Sequence, residues 1–153
     1  MTIRLVKDSD YQKLTELYRT FFSTHNIFQQ SDKIVIIYLK DQAKKSPLLV
    51  AEEKGALVGA VLLYQFGQTP DGSHRLWKFR HFAFTTEHIA TELLKAAEDY
   101  VKKLSKTAKI ELTITETEKR KEFYLKHGYV QEGILKDHYR PKEKCYILGK
   151  SFI

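Results

Sequence analysis

The sequence predicts a mixed α/β (α+β) domain: a twisted, mostly antiparallel sheet of about seven strands flanked by about four helices. Three observations predict it. Short runs rich in apolar and β-branched residues recur along the chain at strand length. Other stretches repeat their apolar residues every three to four positions. One strand, long helix, strand succession in the second half implies a parallel pair within a sheet otherwise joined by hairpins.

Residues 2–7 (TIRLVK) set Ile3 and Leu5 against Thr2 and Arg4, the alternation of a strand. Asp8 or Ser9 can cap a helix from about Tyr11 to Phe22, where Tyr11, Leu14, Leu17, Tyr18, Phe21 and Phe22 fall at helical spacing. SDKIVIIYLKDQAKK has a cap in Ser31 or Asp32 and is expected to be helical despite its β-branched IVI. PLLVAEE and ALVGAVLLYQF flank Lys54-Gly55, a hairpin signal. TPDGS is a second turn, leading into the strand HRLWKFRHFAF. A long helix follows, with a stripe of Ile89, Leu93, Ala97, Tyr100 and Leu104 widened by Ala90, Leu94 and Val101. KIELTITE alternates Ile110, Leu112 and Ile114 with Glu111, Thr113 and Thr115, as a strand does. A shorter helix from about Glu118 to His127 stops at Gly128. GYVQEGILK and KCYILGKSF close the chain as two strands.

A length of 153 residues suits one domain, residues 1–153, with a sizeable core. No long apolar run and no basic–apolar–small N-terminal pattern is present, so neither a membrane helix nor a signal peptide is expected. Cys145 is the sole cysteine, which excludes an internal disulfide and fits a cytoplasmic setting. A net charge of +7 attracts anions in general, but Lys102, Lys103 and Lys106 sit among glutamates on an outer helix face. The clusters RLWKFRHF and KDHYRPKEK could meet phosphates and bases, yet no nucleic-acid motif accompanies them. The six histidines have no paired ligand spacing, so no metal is expected, and no G-x-S-x-G elbow exists.

The element order, with FYLKHGY (Phe123–Tyr129) leading into a terminal hairpin, resembles the GNAT acyltransferase superfamily. The tail EGILKDHYRPKEKCYILGK is similar to the last hairpin of members that acetylate peptide or protein amines. The resemblance implies acetyl-coenzyme A as donor, an amine as acceptor and direct transfer, in a monomer or homodimer. It places Tyr124 as the proton donor to the leaving thiol. The backbone of Phe82, Ala83 and Phe84 becomes the source of a donor to the carbonyl oxygen. His81 is a candidate base, with Glu111 comparable and a water chain a third route. Asp137, His138, Tyr139 and Arg140 fall at the last hairpin turn, where the acceptor is expected; the last three are the proposed contacts.

The family's turn before the long helix reads Q/R-x-x-G-x-G/A, and its glycines let the backbone wrap a diphosphate. With the alignment anchored on Leu93-Leu94, Ala90 takes the last position, His88 replaces the glycine and Thr85 the Q/R. Two readings stay open. In one, Thr85, Thr86, His88, Ile89 and Ala90 still hold the cofactor through hydroxyls and N–H groups. In the other, Thr85 or Thr86 is only an N-cap, Glu87 complements the helix dipole, and the protein is a binding or regulatory module with weak or no coenzyme A affinity. Thr117 stands where many members carry an asparagine; it is a cofactor-side candidate that could also cap its helix.

Overall fold

The computed structural model describes residues 1–23, 26–118 and 120–153. Along the chain come β1 (Thr2–Leu5), a 3-10 turn (Asp8–Asp10), α1 (Tyr11–Phe21), a second 3-10 turn (Ile27–Gln29) and α2 (Asp32–Lys45). Then follow β2 (Leu48–Glu53), β3 (Ala56–Gln68), β4 (His74–Phe84), α3 (Glu87–Leu104), β5 (Thr107–Thr115), α4 (Lys121–Lys126), β6 (Val130–Lys136) and β7 (Lys144–Phe152). The sheet order is β1-β2-β3-β4-β5-β7-β6. Neighbours are antiparallel in β1–β2, β2–β3, β5–β7 and β6–β7. β4 and β5 run parallel from His74↔Thr107 to Lys78↔Glu111, as a crossover through a helix requires. The predicted fold class and element order are those observed.

Two compact units divide the residues. The first comprises Met1–Tyr64 and Phe79–Val101. Its core joins Tyr11, Leu14 and Tyr18 of α1 with Val35 and Leu39 of α2 and Leu48, Val50, Ala60 and Leu62 of the sheet. The β2–β3 hairpin turns through Lys54 (φ 50°) and Gly55 (φ 81°), the two left-handed residues of a type I′ turn. α3 lies close on β3 because Gly59 has no side chain. A Cβ there would meet Ile89 Cγ2 and Leu93 Cδ2 at 3.1 Å and the Ala83 carbonyl at 3.3 Å.

The second unit comprises Gln65–Lys78 and Lys102–Ile153. Ile110, Leu112 and Ile114 are buried on one face of β5, as their alternation predicts. Phe123 and Tyr124 of α4 are buried too, and Tyr129 beyond Gly128 (φ 87°) joins them. No helix among the described residues is long and apolar enough to cross a membrane.

Several local expectations need correction. α1 is not capped by Asp8 or Ser9. Those residues open a 3-10 turn, and Asp10 at its end accepts the Lys7 N–H at 2.7 Å while holding Arg4 at 2.7 and 3.1 Å. Leu5 is exposed, because β1 is a short edge strand. In α3, Leu104 is exposed at the helix end, and Glu98 is buried within the stripe. α4 begins only at Lys121, with Arg120 at its N-cap; Lys119, within the predicted helix, lies outside the described residues. Thr117 does not cap it. Its hydroxyl meets the Thr115 hydroxyl at 3.0 Å and donates to Glu143 Oε2 at 3.4 Å.

Candidate active site

In the first unit the predicted residues gather along the end of β4 and the start of α3. His81 has φ +50°, a left-handed conformation inside a strand. Histidine tolerates that region better than branched residues, and such strain concentrates at working sites. The ring is fixed from α2, with Tyr38 Oη and His81 Nε2 2.6 Å apart. Phe28, Tyr38 and Tyr18 surround it edge-on, at centroid distances of 5.1, 5.6 and 6.0 Å. Burial, and then the charge of Arg80, lowers the imidazole to about 4, so it is neutral at pH 7. Burial raises the Tyr38 phenol, which therefore stays protonated. The Tyr18 hydroxyl is buried with no hydrogen-bond partner among the described residues. Phe82 and Ala83 are buried and Phe84 is partly so, its ring 5.0 Å from that of Phe21.

The connection from β4 to α3 is two residues long, Thr85 and Thr86. The Thr85 N–H donates to the Val58 carbonyl at 2.9 Å, so it is spent within the sheet. Thr86 caps α3. Its hydroxyl accepts the Ile89 N–H at 3.3 Å and its carbonyl accepts the Ala90 N–H at 3.0 Å. The Ile89 and Ala90 side chains are buried, whereas Thr85, Thr86, Glu87 and His88 are exposed. A threonine that accepts one bond still has its own O–H to give. The turn therefore fits a phosphate oxygen with one hydroxyl and the N–H groups of Glu87 and His88, since those of Ile89 and Ala90 are taken by Thr86. Without glycine, and with Glu87 in the first turn, it does not fit a wrapped diphosphate.

In the second unit Tyr124 anchors the other predicted residues. Its ring is 5.1 Å from Phe123 and 5.7 Å from Tyr129, both near perpendicular. Burial raises its phenol well above the ordinary range; Glu118 adds to this and Arg120 opposes it. Glu118, on the segment before α4, is itself raised by burial and by Glu143, against Arg120 and Arg140. Glu111 pairs with Gly149 on one side and Lys78 on the other, in mid-sheet.

The β6–β7 connection holds His138, Tyr139 and Arg140, with Asp137 (φ 53°) accepting the Lys142 N–H at 2.5 Å. Tyr139 is 59% exposed, and its hydroxyl meets that of Thr113 at 3.0 Å; it is not a core residue. His138 packs on it at 4.5 Å. Arg140 is turned to Glu143, Nη1 donating to Oε2 at 3.0 Å. Thr117 shares that oxygen, so it joins Arg140 rather than standing alone.

Three residues of this arrangement have no sequence signal of their own. Tyr38 reads as one aromatic in an apolar helix, and Glu118 and Glu143 as ordinary charges near turns. A cleft of about 410 Å³ lined by Lys102, Lys106, Thr107 and Phe152 lies at the opposite end of β5 from Thr115 and contains none of the predicted residues. Trp77 and Phe79 of the basic–aromatic cluster are buried, which removes them as surfaces for stacking bases. Among the described residues no three His, Cys, Asp or Glu side chains are grouped to hold a metal ion.

The family model described as "Acetyltransferase (GNAT) family" matches residues 11–129. The fold is shared with the aminoglycoside 6'-N-acetyltransferase from Enterococcus faecium, at TM-score 0.79 and 17% identity, over 100% of this chain and 98% of that one. An aminoglycoside 6'-N-acetyltransferase complexed with coenzyme A gives TM-score 0.79 and 18% identity at the same coverage. The ribosomal-protein-alanine N-acetyltransferase from Brucella melitensis gives TM-score 0.77 and 14% identity, over 99% of this chain and 100% of that one. No functionally curated protein matches the sequence.

Proposed function

The chain belongs to the acetyltransferase (GNAT) family, and from that premise we propose that it acetylates a peptide or protein amine, an α-amine or a lysine, by direct attack. Acetyl-coenzyme A, the donor this family uses, supplies the acetyl group as a thioester. The acceptor must shed a proton before it attacks, and His81 is assigned to receive it, directly or through water. Its ring is neutral at pH 7 and is oriented by Tyr38. Backbone N–H groups of Phe82, Ala83 and Phe84 are assigned to the carbonyl oxygen, whose charge grows as the amine adds. Tyr124 is assigned to protonate the departing sulfur, a thiol of pKa roughly 8.5 by analogy with cysteine. His138, Tyr139 and Arg140 are assigned to the acceptor. Thr86, His88 and the first turn of α3 are assigned to a single phosphate oxygen of the donor, in place of a wrapped diphosphate.

Tyr124 carries this reading. The residue at the family's tyrosine position is buried, and burial holds its phenol protonated, as a general acid requires. A second reading, a binding or regulatory module with weak coenzyme A affinity, is favoured by the Thr85 N–H being committed to Val58 in a turn without glycine. Incubating the chain with acetyl-coenzyme A and peptides bearing a free α-amine or a lysine, followed by mass spectrometry, separates the two. Acetylated peptide supports the enzyme; unmodified peptide in every case supports the module.

A further inference from the structure

The surroundings of His81 set a chemical problem for a base. Burial and the charge of Arg80 hold the imidazole at about 4, so at pH 7 a proton taken from an ammonium does not stay on the ring as a cation. A group that refuses charge can still move a proton, provided that one leaves as another arrives. That requires a partner on the second ring nitrogen, and the partner must have a way to solvent.

α2 supplies such a partner. Tyr38 Oη lies 2.6 Å from Nε2 and is the ring's only hydrogen-bond partner among the described residues. Tyr18 also stands against the ring, but its hydroxyl is fully buried and bonded to nothing among the described residues, so no route leads on from it. Tyr38 and His81 are each only partly buried, so a proton can enter at one and leave from the other. The pair can be bonded in two neutral ways. In one, Nε2–H donates to Oη and Nδ1 is bare; in the other, the phenol donates to Nε2 and the hydrogen is on Nδ1. The heavy atoms need not move between the two. Burial raises the Tyr38 phenol and Arg80 partly offsets this, so the charge that opposes an imidazolium also eases departure of the phenol proton.

We infer that Tyr38 and His81 form a proton relay: as the acceptor's ammonium gives a proton to Nδ1, Nε2 passes its own to Tyr38 Oη, and the Tyr38 O–H proton leaves to water. One N–H bond of the ammonium breaks and Nδ1–H forms. Nε2–H breaks and a new O–H forms on Tyr38, whose old O–H breaks as water takes the proton. Ring and phenol are neutral before and after, and exchange with water restores the Nε2–H form once the product has gone. Tyr38 acts through His81, as a positioning residue that also gives the proton its way out. This rests on the acetyl-transfer reading with His81 as its base.

Two measurements on the full chain test the relay. Nitrogen-15 NMR of the resting protein reads the ring tautomer without substrate, the His81 signals being those lost in His81→Gln. The relay starts from hydrogen on Nε2 and a bare Nδ1; hydrogen on Nδ1 overturns it. The second measurement is the single-turnover rate of acetyl transfer from acetyl-coenzyme A to trialanine amide, in mixtures of light and heavy water. The wild-type rate should curve with the heavy-water fraction, because several protons move together. Tyr38→Phe keeps the ring edge-on to Phe28 and deletes the hydroxyl. Its plot should straighten and its rate fall roughly tenfold or more, with acetyl-coenzyme A affinity unchanged in calorimetry. A straight plot for wild type overturns the relay even if the variant fails to fold. An unchanged rate in Tyr38→Phe does so too, and a lower rate with the curvature kept reduces Tyr38 to packing. Transfer with a straight plot sinks the relay alone, whereas no transfer to trialanine amide or to a lysine peptide sinks the acetyl-transfer reading and the relay with it.

Discussion

Tyr38 Oη and His81 Nε2 are 2.6 Å apart, tying α2 to a residue of β4 that is 43 positions away and holds a left-handed φ. The bond occupies Nε2, so the base role proposed for His81 falls to Nδ1. It also explains how a strained residue persists: a ring enclosed by Tyr18, Phe28 and Tyr38 has nowhere else to go.

That enclosure makes a prediction about pH. Folded His81 titrates at about 4, and the unfolded chain titrates it at 6.5. Between those values the unfolded chain binds a proton that the folded one refuses, so stability rises with pH across the window. The contribution is complete above pH 6.5 and is lost as pH falls toward 4. At 1.36 kcal/mol per unit it amounts to on the order of 3 kcal/mol. Urea unfolding of wild type from pH 4 to 7 should show this slope, and His81→Gln should flatten it. An equal slope in both proteins would assign the acid sensitivity elsewhere.

Thr86 is predicted to have two roles that one substitution can separate. Thr86→Ala removes the α3 N-cap and should cost about 1 kcal/mol of stability. It also removes the one side-chain O–H of the turn that is placed to cap and donate together. Affinity for acetyl-coenzyme A should fall several-fold in calorimetry. A stability loss with unchanged affinity would reduce Thr86 to a cap.

Much of the fold can be read from the chain because its signals are local. The alternation of Ile110, Leu112 and Ile114 and the Lys54-Gly55 turn need no distant partner to be interpreted. The start of α1 escaped because Asp10 spends its carboxylate on Lys7 and Arg4, a tertiary contact, rather than on a cap. Thr117 likewise turns to Glu143, 26 residues away. The candidate residues were legible in part: His81, Tyr124 and the α3 start carry motif or residue-type signals. Tyr38 and Glu143 do not, since their significance lies in what the fold brings to them.

Tyr124→Phe tests the acid directly. It keeps the ring packed against Phe123 and Tyr129 and deletes the hydroxyl. Turnover should fall roughly 100-fold or more while donor affinity holds, as expected for loss of a general acid. Because burial raises the phenol, wild-type turnover should show no loss from its ionisation up to about pH 10, the ordinary tyrosine value. Unchanged turnover in Tyr124→Phe would remove it from the mechanism.

Whether this chain works on acetyl-coenzyme A turns on a two-residue connection that has kept a cap and lost its glycines. Calorimetric titration of the wild-type chain with acetyl-coenzyme A measures that connection most directly. The account predicts saturable binding with a micromolar Kd, weakened in Thr86→Ala. Absence of heat at millimolar acetyl-coenzyme A would contradict it and leave a family member that retains the fold without the donor.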